Sequence, residues 1–161
     1  MTTLRLFYDC EFLERGPGHP LELIALGIVS DDGRELYRVN AEFDVRNATP
    51  WLREHVLPHL PPAGDPAWKP RAEIAAEVRA LVGEAVPELW GDSAYDHVLL
   101  AQLFGDMTGW PPGWPYFTHE LAQLRESVGN PELPKNEGRE HHALDDAKWL
   151  RQAWRFLKEK E

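Results

Sequence analysis

Two groups of residues, more than a hundred positions apart, could do chemistry together. Asp9 and Glu11 lie two apart in Phe7-Tyr8-Asp9-Cys10-Glu11, and His141-His142-Ala143-Leu144-Asp145-Asp146 lies near the other end. Carboxylates two apart on a strand point the same way, with Cα atoms roughly 6.6 Å apart, and can converge on one cation. An uncompensated acid pair beside a buried strand is costly, so a bound cation gives it a physical reason to be there. An imidazole with an unperturbed pKa of about 6.5 can take a proton from water near neutral pH. Carboxylates for metal and an imidazole for water are what two-metal hydrolysis of a phosphodiester requires. Taken singly, each piece has a plainer reading: a strand end reaching solvent, or polar residues opening a helix.

The elements that must position these groups can be read from patterning. Leu4 to Phe12 reads as a first strand, with Leu4, Leu6, Tyr8, Cys10 and Phe12 on one face and Phe7, Asp9 and Glu11 on the other. Leu21 to Ser30 reads as a second, central strand, and Asp32-Gly33 as a hairpin turn. A third strand follows, with Leu36, Val39, Ala41 and Phe43 among its apolar positions. Trp51 to Leu57 reads as a short helix, followed by a proline-rich surface connection from Pro58 to Pro70. Arg71 to Val86 has a helical stripe of Ile74, Val78, Leu81 and Val82, and Glu88 to Gly91 is a short strand. Ser93 caps a helix over Ala94 to Phe104 that carries Asp96. Trp110 to Pro115 is a rigid turn, Tyr116 to Thr118 a last strand, and a helix runs on to about Val128. Gly129 to Glu140 is polar and irregular. The final helix spans about His142 to Lys158, with Ala143, Ala147, Leu150, Trp154 and Leu157 as its buried stripe. Asp146 falls about 60° from the centre of that stripe, where it can look back toward the first strand.

Composition bounds the rest. The 161 residues read as one domain, 1–161, with 43% hydrophobic residues and enough length to bury a core. The single cysteine, Cys10, cannot form an internal disulfide and fits a reducing cytoplasm. No signal-like N-terminus appears, and the longest apolar run, Leu23 to Val29, is too short to cross a bilayer. A cytoplasmic protein without membrane partners is expected. The net charge of −10 argues against tight, sequence-blind duplex binding. Two divalent cations among Asp9, Glu11, Asp96 and Asp146 would bring that net only to −6. Local capture of a strand end fits such a surface better than processive tracking.

Joined, the pieces resemble the DnaQ-like 3′→5′ exonuclease superfamily, in its subgroup with four acids and a histidine (DEDDh). The pattern is Asp9-Cys10-Glu11, then Tyr95-Asp96-His97-Val98-Leu99, then His141-x4-Asp146. Further strings resemble the actinobacterial, polyadenylate-degrading exoribonuclease AS family. They are Phe7-Tyr8-Asp9, Glu22-Leu23-Ile24, Glu42-Phe43-Asp44, His55-Val56-Leu57-Pro58, Ala94-Tyr95-Asp96-His97-Val98 and Phe117-Thr118-His119-Glu120-Leu121. The resemblance implies an α/β, RNase H-like mixed sheet of five to six strands, three antiparallel and then parallel, flanked by helices. It implies that Asp9, Glu11 and Asp146 hold the first of two Mg²⁺ or Mn²⁺ ions, with Asp9 shared to the second. Asp96 would position the second, through water, and His141 would deprotonate the attacking water. The substrate would be an RNA 3′ end or overhang, the product a 5′-nucleoside monophosphate, and the protein a homodimer.

Cys10 departs from the threonine common in the family, but it points away from the acid pair. His142 stands four before Asp146, the offset a tyrosine-using subgroup employs, so His141 is chosen by spacing. Phe12 and Leu13, just past the acids, could hold the strand end through backbone and by packing an aromatic against the terminal base; they read equally as core. Glu120, with His119, could reach a base edge. Lys148, Arg151, Arg155 and Lys158 line another side of the last helix, most simply as a solvated face. Three rivals stand beside this reading. An aspartyl phosphatase would want a second Asp at position 11 and a placed lysine, and the chain has five lysines in no such motif. A non-catalytic nucleotide- or RNA-binding module would be expected to lose one of the five site residues. A DNA exonuclease differs only in contacts to the 2′-hydroxyl.

Overall fold

The computed structural model describes the whole chain, Met1–Glu161. The long first strand organises the molecule. β1 (Thr3–Leu13) pairs antiparallel with β2 (Glu22–Ser30), which pairs antiparallel with β3 (Glu35–Asn40). On its other edge β1 pairs parallel with β5 (Val86–Gly91), and β5 with β6 (His119–Glu120). β4 (Trp68–Lys69) extends the far edge parallel to β3, giving one six-stranded sheet in the order β4-β3-β2-β1-β5-β6.

Period-two alternation along the strands sends two apolar sets to opposite faces. Leu4, Leu6, Tyr8 and Cys10 face one side with Leu26 and Ile28, under Ile74, Val78 and Val82 of α2 (Arg71–Val82) and Leu99 and Leu100 of α3 (Ala94–Gln102). Phe7 and Val29 face the other side, against Leu121 and Leu124 of α4 (Leu121–Ser127) and Ala147, Leu150, Ala153 and Leu157 of α5 (Ala143–Lys158). The β1–β2 register slips between Glu11 and Phe12, so that Glu11 opposes Ala25 and Phe12 opposes Leu23. Beyond this bulge Leu13 and Ile24 join Leu52 and Val56 in a separate small core beneath α1 (Pro50–His55). Bulges re-aim side chains, and this one follows the second strand acid directly.

Gly27 controls how closely α5 approaches. It lies opposite Asp9, and a Cβ built there would sit 2.3 Å from the backbone of Ala143 and Leu144. Only glycine lets the start of α5 rest on the sheet beside the acid-bearing strand.

Several boundaries differ from those expected. The helix over 71–86 stops at Val82, because Gly83 takes φ 63° and turns the chain into β5, which begins at Val86. The third strand ends at Asn40 and does not include Ala41 or Phe43. The Asn40 amide donates to Leu23 O at 2.9 Å and accepts from Glu42 N at 3.0 Å, closing a side-chain turn. The last strand is His119–Glu120, not Tyr116–Thr118. β4, within the proline-rich connection, carried no strand pattern. Trp154 is only half-buried, tilted against Phe7 at 5.5 Å, while Ala153 fills the fully buried place in the α5 stripe. No helix is long and apolar enough to cross a membrane.

Candidate active site

β1, α3 and α5 bring carboxylates together from three distant parts of the chain. Asp9 and Glu11 project from the α5 side of β1, and Asp146 lies in the first turn of α5. Carboxylate oxygens of these three lie within 4.8 Å of one another. Asp96 enters from the first turn of α3. It is 3% exposed and its oxygens are held by the protein: Oδ1 accepts from Cys10 N at 3.1 Å, and Oδ2 from Ser93 N and Ser93 Oγ at 3.2 and 3.1 Å. The reciprocal Ser93–Asp96 contacts form a capping box, so local helix chemistry places this acid. The backbone N–H of Cys10, between the two strand acids, ties it to β1.

The electrostatics of the cluster run against ionisation. Burial, then Asp96, Glu11, Asp146 and Asp92 in turn, hold the Asp9 carboxyl well above its ordinary range. Glu11, 9% exposed, is pushed up to about 8 by burial and by the Asp146 and Asp96 charges. Asp96 rises to about 6 through burial, opposed by its hydrogen bonds from Cys10 and Ser93. Asp146 is also raised by burial, against a hydrogen bond from Asn136. No lysine or arginine forms an ion pair with Asp9, Glu11, Asp96 or Asp146. A converging, all-oxygen donor set that lacks a cationic partner fits a hard divalent cation. A cleft of about 220 Å³ opens onto it, lined by Asp9, Asp92, Asn136, Glu140, Asp146 and Trp149.

The two histidines before α5 are placed differently. His141 sits in a turn at φ 60°, half-exposed, its ring edge-on to Trp51 at 5.0 Å and to His55 at 6.0 Å. It makes no side-chain hydrogen bond within the protein. His142 is 6% exposed and caps α5: Nδ1 accepts from Asp145 N at 3.4 Å, and the ring stacks on Tyr37 at 4.5 Å. Burial and the Arg139 charge lower its pKa, so it remains a neutral acceptor.

Of the remaining residues singled out, Phe12 is half-buried and stacks on Tyr95 at 5.6 Å. It lines a groove of about 340 Å³ with Glu11, Glu14, Thr49, Trp51 and Leu52. The Leu13 side chain is fully buried in the small core beneath α1 and does not line that groove. Glu120 is half-exposed on β6, near Asp92. His97 lies behind the site: Nε2 donates to Tyr116 O at 3.2 Å and Nδ1 accepts from Tyr8 at 3.4 Å. On α5, Lys148 pairs with Glu35 at 3.1 Å and Arg151 donates to Ser30 O at 2.9 Å, away from the acids. Sequence reasoning missed Asp92, Asn136, Glu140 and Trp51. Asp92 could have been found, because it follows a parallel strand at the carboxyl edge where α/β sheets place their sites. Asn136 and Glu140 come from a segment without periodicity, and Trp51 sits in the short helix α1, where an exposed aromatic carried no signal of its own.

Comparison with known proteins places the chain in a family. The 3′-5′ exoribonuclease Rv2179c of Mycobacterium tuberculosis strain H37Rv is 46% identical over 149 residues, covering 90% of this chain and 88% of that one. The 3′-5′ exoribonuclease MT2234.1 of strain CDC 1551 matches to the same extent. Among solved structures, cell-death related nuclease 4 (CRN-4) superposes with a TM-score of 0.61 at 15% identity, over 98% of this chain and 64% of that one. A product-bound exonuclease I gives 0.59 at 14% identity, over 99% of this chain and 46% of that one. These likenesses show the RNase H-like fold. The family model described as the 3′-5′ exoribonuclease Rv2179c-like domain matches residues 4–158, and the chain belongs to that family.

Proposed function

We propose that this chain is a 3′-5′ exoribonuclease, folded as one domain over 1–161, that hydrolyses phosphodiester bonds from RNA 3′ ends or overhangs and releases 5′-nucleoside monophosphates. The observation that carries the reading is the convergence of Asp9, Glu11 and Asp146 within 4.8 Å in a cleft without a cationic partner. The relatives named as exoribonucleases support the activity. In this reading Asp9, Glu11 and Asp146 would hold one Mg²⁺ or Mn²⁺, Asp9 would also serve a second, and Asp96 would help position that second ion through water. Such ions, when bound, neutralise charge on the phosphoryl group and orient the attacking water and the departing 3′ oxygen.

The chain's own residues do the rest. His141, half-exposed and with an uncommitted ring, takes the proton of the attacking water at a ring nitrogen. The rings of Trp51 and His55 limit where that imidazole can swing. His142 is committed to the α5 cap and to Tyr37, which supports His141 as the base. Asp96, with its oxygens engaged by Cys10 and Ser93, is suited to an outer role through water. Phe12, with backbone at Leu13, packs against the terminal nucleotide, and Glu120 reaches a base edge; an adenylate-rich 3′ end is the preferred substrate. A cytoplasmic homodimer completes the proposal.

The test is a cleavage assay on 5′-labelled oligoadenylate RNA and its DNA counterpart, with Mg²⁺, Mn²⁺ or EDTA, and His141→Ala alongside. A metal-dependent ladder shortening from the RNA 3′ end, lost in the variant, is expected. Intact, metal-loaded protein that shortens neither strand would overturn the proposal.

A further inference from the structure

Between α4 and α5 the chain runs from Gly129 to His142 without helix or strand, yet it is pinned to α5 at three points. Trp149 Nε1 donates to Pro134 O at 2.8 Å. Asn136 Nδ2 donates to Asp146 Oδ1 at 2.9 Å. Arg139 donates to Asp145 Oδ2 from its backbone N at 3.1 Å and from Nε at 2.8 Å. Of the three anchors, only Asn136 touches a member of the acid cluster. Asp9 and Glu11 accept no side-chain hydrogen bond, so the Asn136 amide is the sole side-chain donor to the three converging carboxylates.

The orientation of that amide is forced. Asn136 Oδ1 accepts from Gly138 N at 2.9 Å, which leaves Nδ2 for Asp146. Flipping the amide would set carbonyl against carboxylate and NH₂ against N–H. The turn is also closely packed: a Cβ on Gly138 would lie 2.9 Å from Asp145 Cβ and 3.2 Å from Asn136 Oδ1. A rigid turn thus presents one N–H to one oxygen of Asp146, and the helix supplies the other end of the clamp.

We propose that Asn136 is a positioning residue that holds the Asp146 carboxylate in the orientation bringing it within 4.8 Å of Asp9 and Glu11, and so sets the divalent-cation affinity of the cluster. The inference rests on reading those three acids as metal ligands. Without the amide, Asp146 keeps only the backbone N–H of His141 and is less restrained from rotating away from two like charges, so the cation must draw it back. The irregular segment thereby becomes part of the metal site although it donates no ligand.

Calorimetric titration of Mn²⁺ into the unaltered protein, Asn136→Ala, Asn136→Ser and Trp149→Phe tests this, with melting temperatures in EDTA. Serine is too short to bridge Gly138 and Asp146, so it acts as a second removal of the donor. Phenylalanine keeps the Trp149 ring volume in part and removes the bond to Pro134, loosening the same segment without touching Asp146. Both Asn136 variants should bind Mn²⁺ about tenfold more weakly, which is ~1.4 kcal/mol, while Trp149→Phe stays within about twofold. All three should melt a few degrees lower in EDTA. Asn136 variants that bind as tightly as the unaltered protein would overturn the proposal, as would Trp149→Phe weakening Mn²⁺ to the same degree. Absence of Mn²⁺ binding in the unaltered protein would overturn it together with the metal reading. Tight Mn²⁺ binding without RNA cleavage would remove the exonuclease reading and leave the assignment of Asn136 standing.

Discussion

Replacing Glu11 by glutamine should separate the cost of the acid cluster from its use. Glu11 is 9% exposed and its carboxyl is raised from 4.5 to about 8 by burial and neighbouring acids. A group whose pKa is higher folded than unfolded adds stability below the unfolded value and loses it as pH rises through the folded one. Metal-free protein must therefore weaken between about pH 5 and pH 8. At about 1.36 kcal/mol per pKa unit over roughly three units, the Glu11 share of that loss is on the order of 4 kcal/mol. Coulomb repulsion agrees in size: two carboxylate charges at the 4.8 Å outer limit of the cluster repel by about 3.5 kcal/mol at an effective dielectric near 20. The amide that replaces the carboxyl cannot ionise, so the variant escapes this loss. With ~2–4 °C per kcal/mol for a chain of this size, Glu11→Gln should melt roughly 8–16 °C above the unaltered protein near pH 8 in EDTA. Near pH 5 the two should nearly coincide. Adding Mg²⁺ should raise the melting temperature of the unaltered protein and leave the variant almost unmoved, and the variant should not cleave RNA. A Glu11→Gln protein that melts at or below the unaltered one near pH 8 in EDTA would refute the reasoning.

His141→Ala should lower kcat by ~10²–10⁴ while Mn²⁺ binding measured by calorimetry is retained. His142→Ala should instead lower stability by about 1–2 kcal/mol in urea unfolding, through loss of the α5 cap, and keep more turnover than His141→Ala. Gly27→Ala would put a Cβ 2.3 Å from the backbone of Ala143 and Leu144, which cannot yield as a side chain can. It should cost roughly 1–3 kcal/mol by denaturant titration and depress cleavage by lifting Asp146 from Asp9. Phe12→Ala removes a stacking surface worth ~1–3 kcal/mol per base, so KM for oligoadenylate should rise with little change in kcat.

The strand acids and the α5 motif were legible because their spacing is tied to local geometry. Two residues apart on a strand means one face, and Asp146 at the edge of an apolar stripe means a helix turned toward the core. The β1–β2–β3 meander was legible for the same reason, down to the Asp32-Gly33 turn. Where local chemistry outweighed patterning, the boundaries moved: Gly83 stopped α2, and the Asn40 side chain closed β3 early. β4 is two residues long and held by the edge of β3, so no periodicity within it could reveal a strand.

The sequence by itself determined which residue types were available and which short segments could carry them: Asp9 and Glu11 on one strand face, Asp96 capped into α3 by Ser93, and His141 and Asp146 at one helix start. Only tertiary structure decided how they meet. The approach of α5 to Asp9 depends on Gly27 from another strand, and the hold on Asp96 depends on a backbone N–H of β1. The different settings of His141 and His142 depend on which ring finds Tyr37 to cover it and which is left beside Trp51. The Asn136 clamp lies in a segment with no repeating pattern. Such contacts join residues far apart in the chain, and their energies come from burial and packing that exist only once the elements have come together.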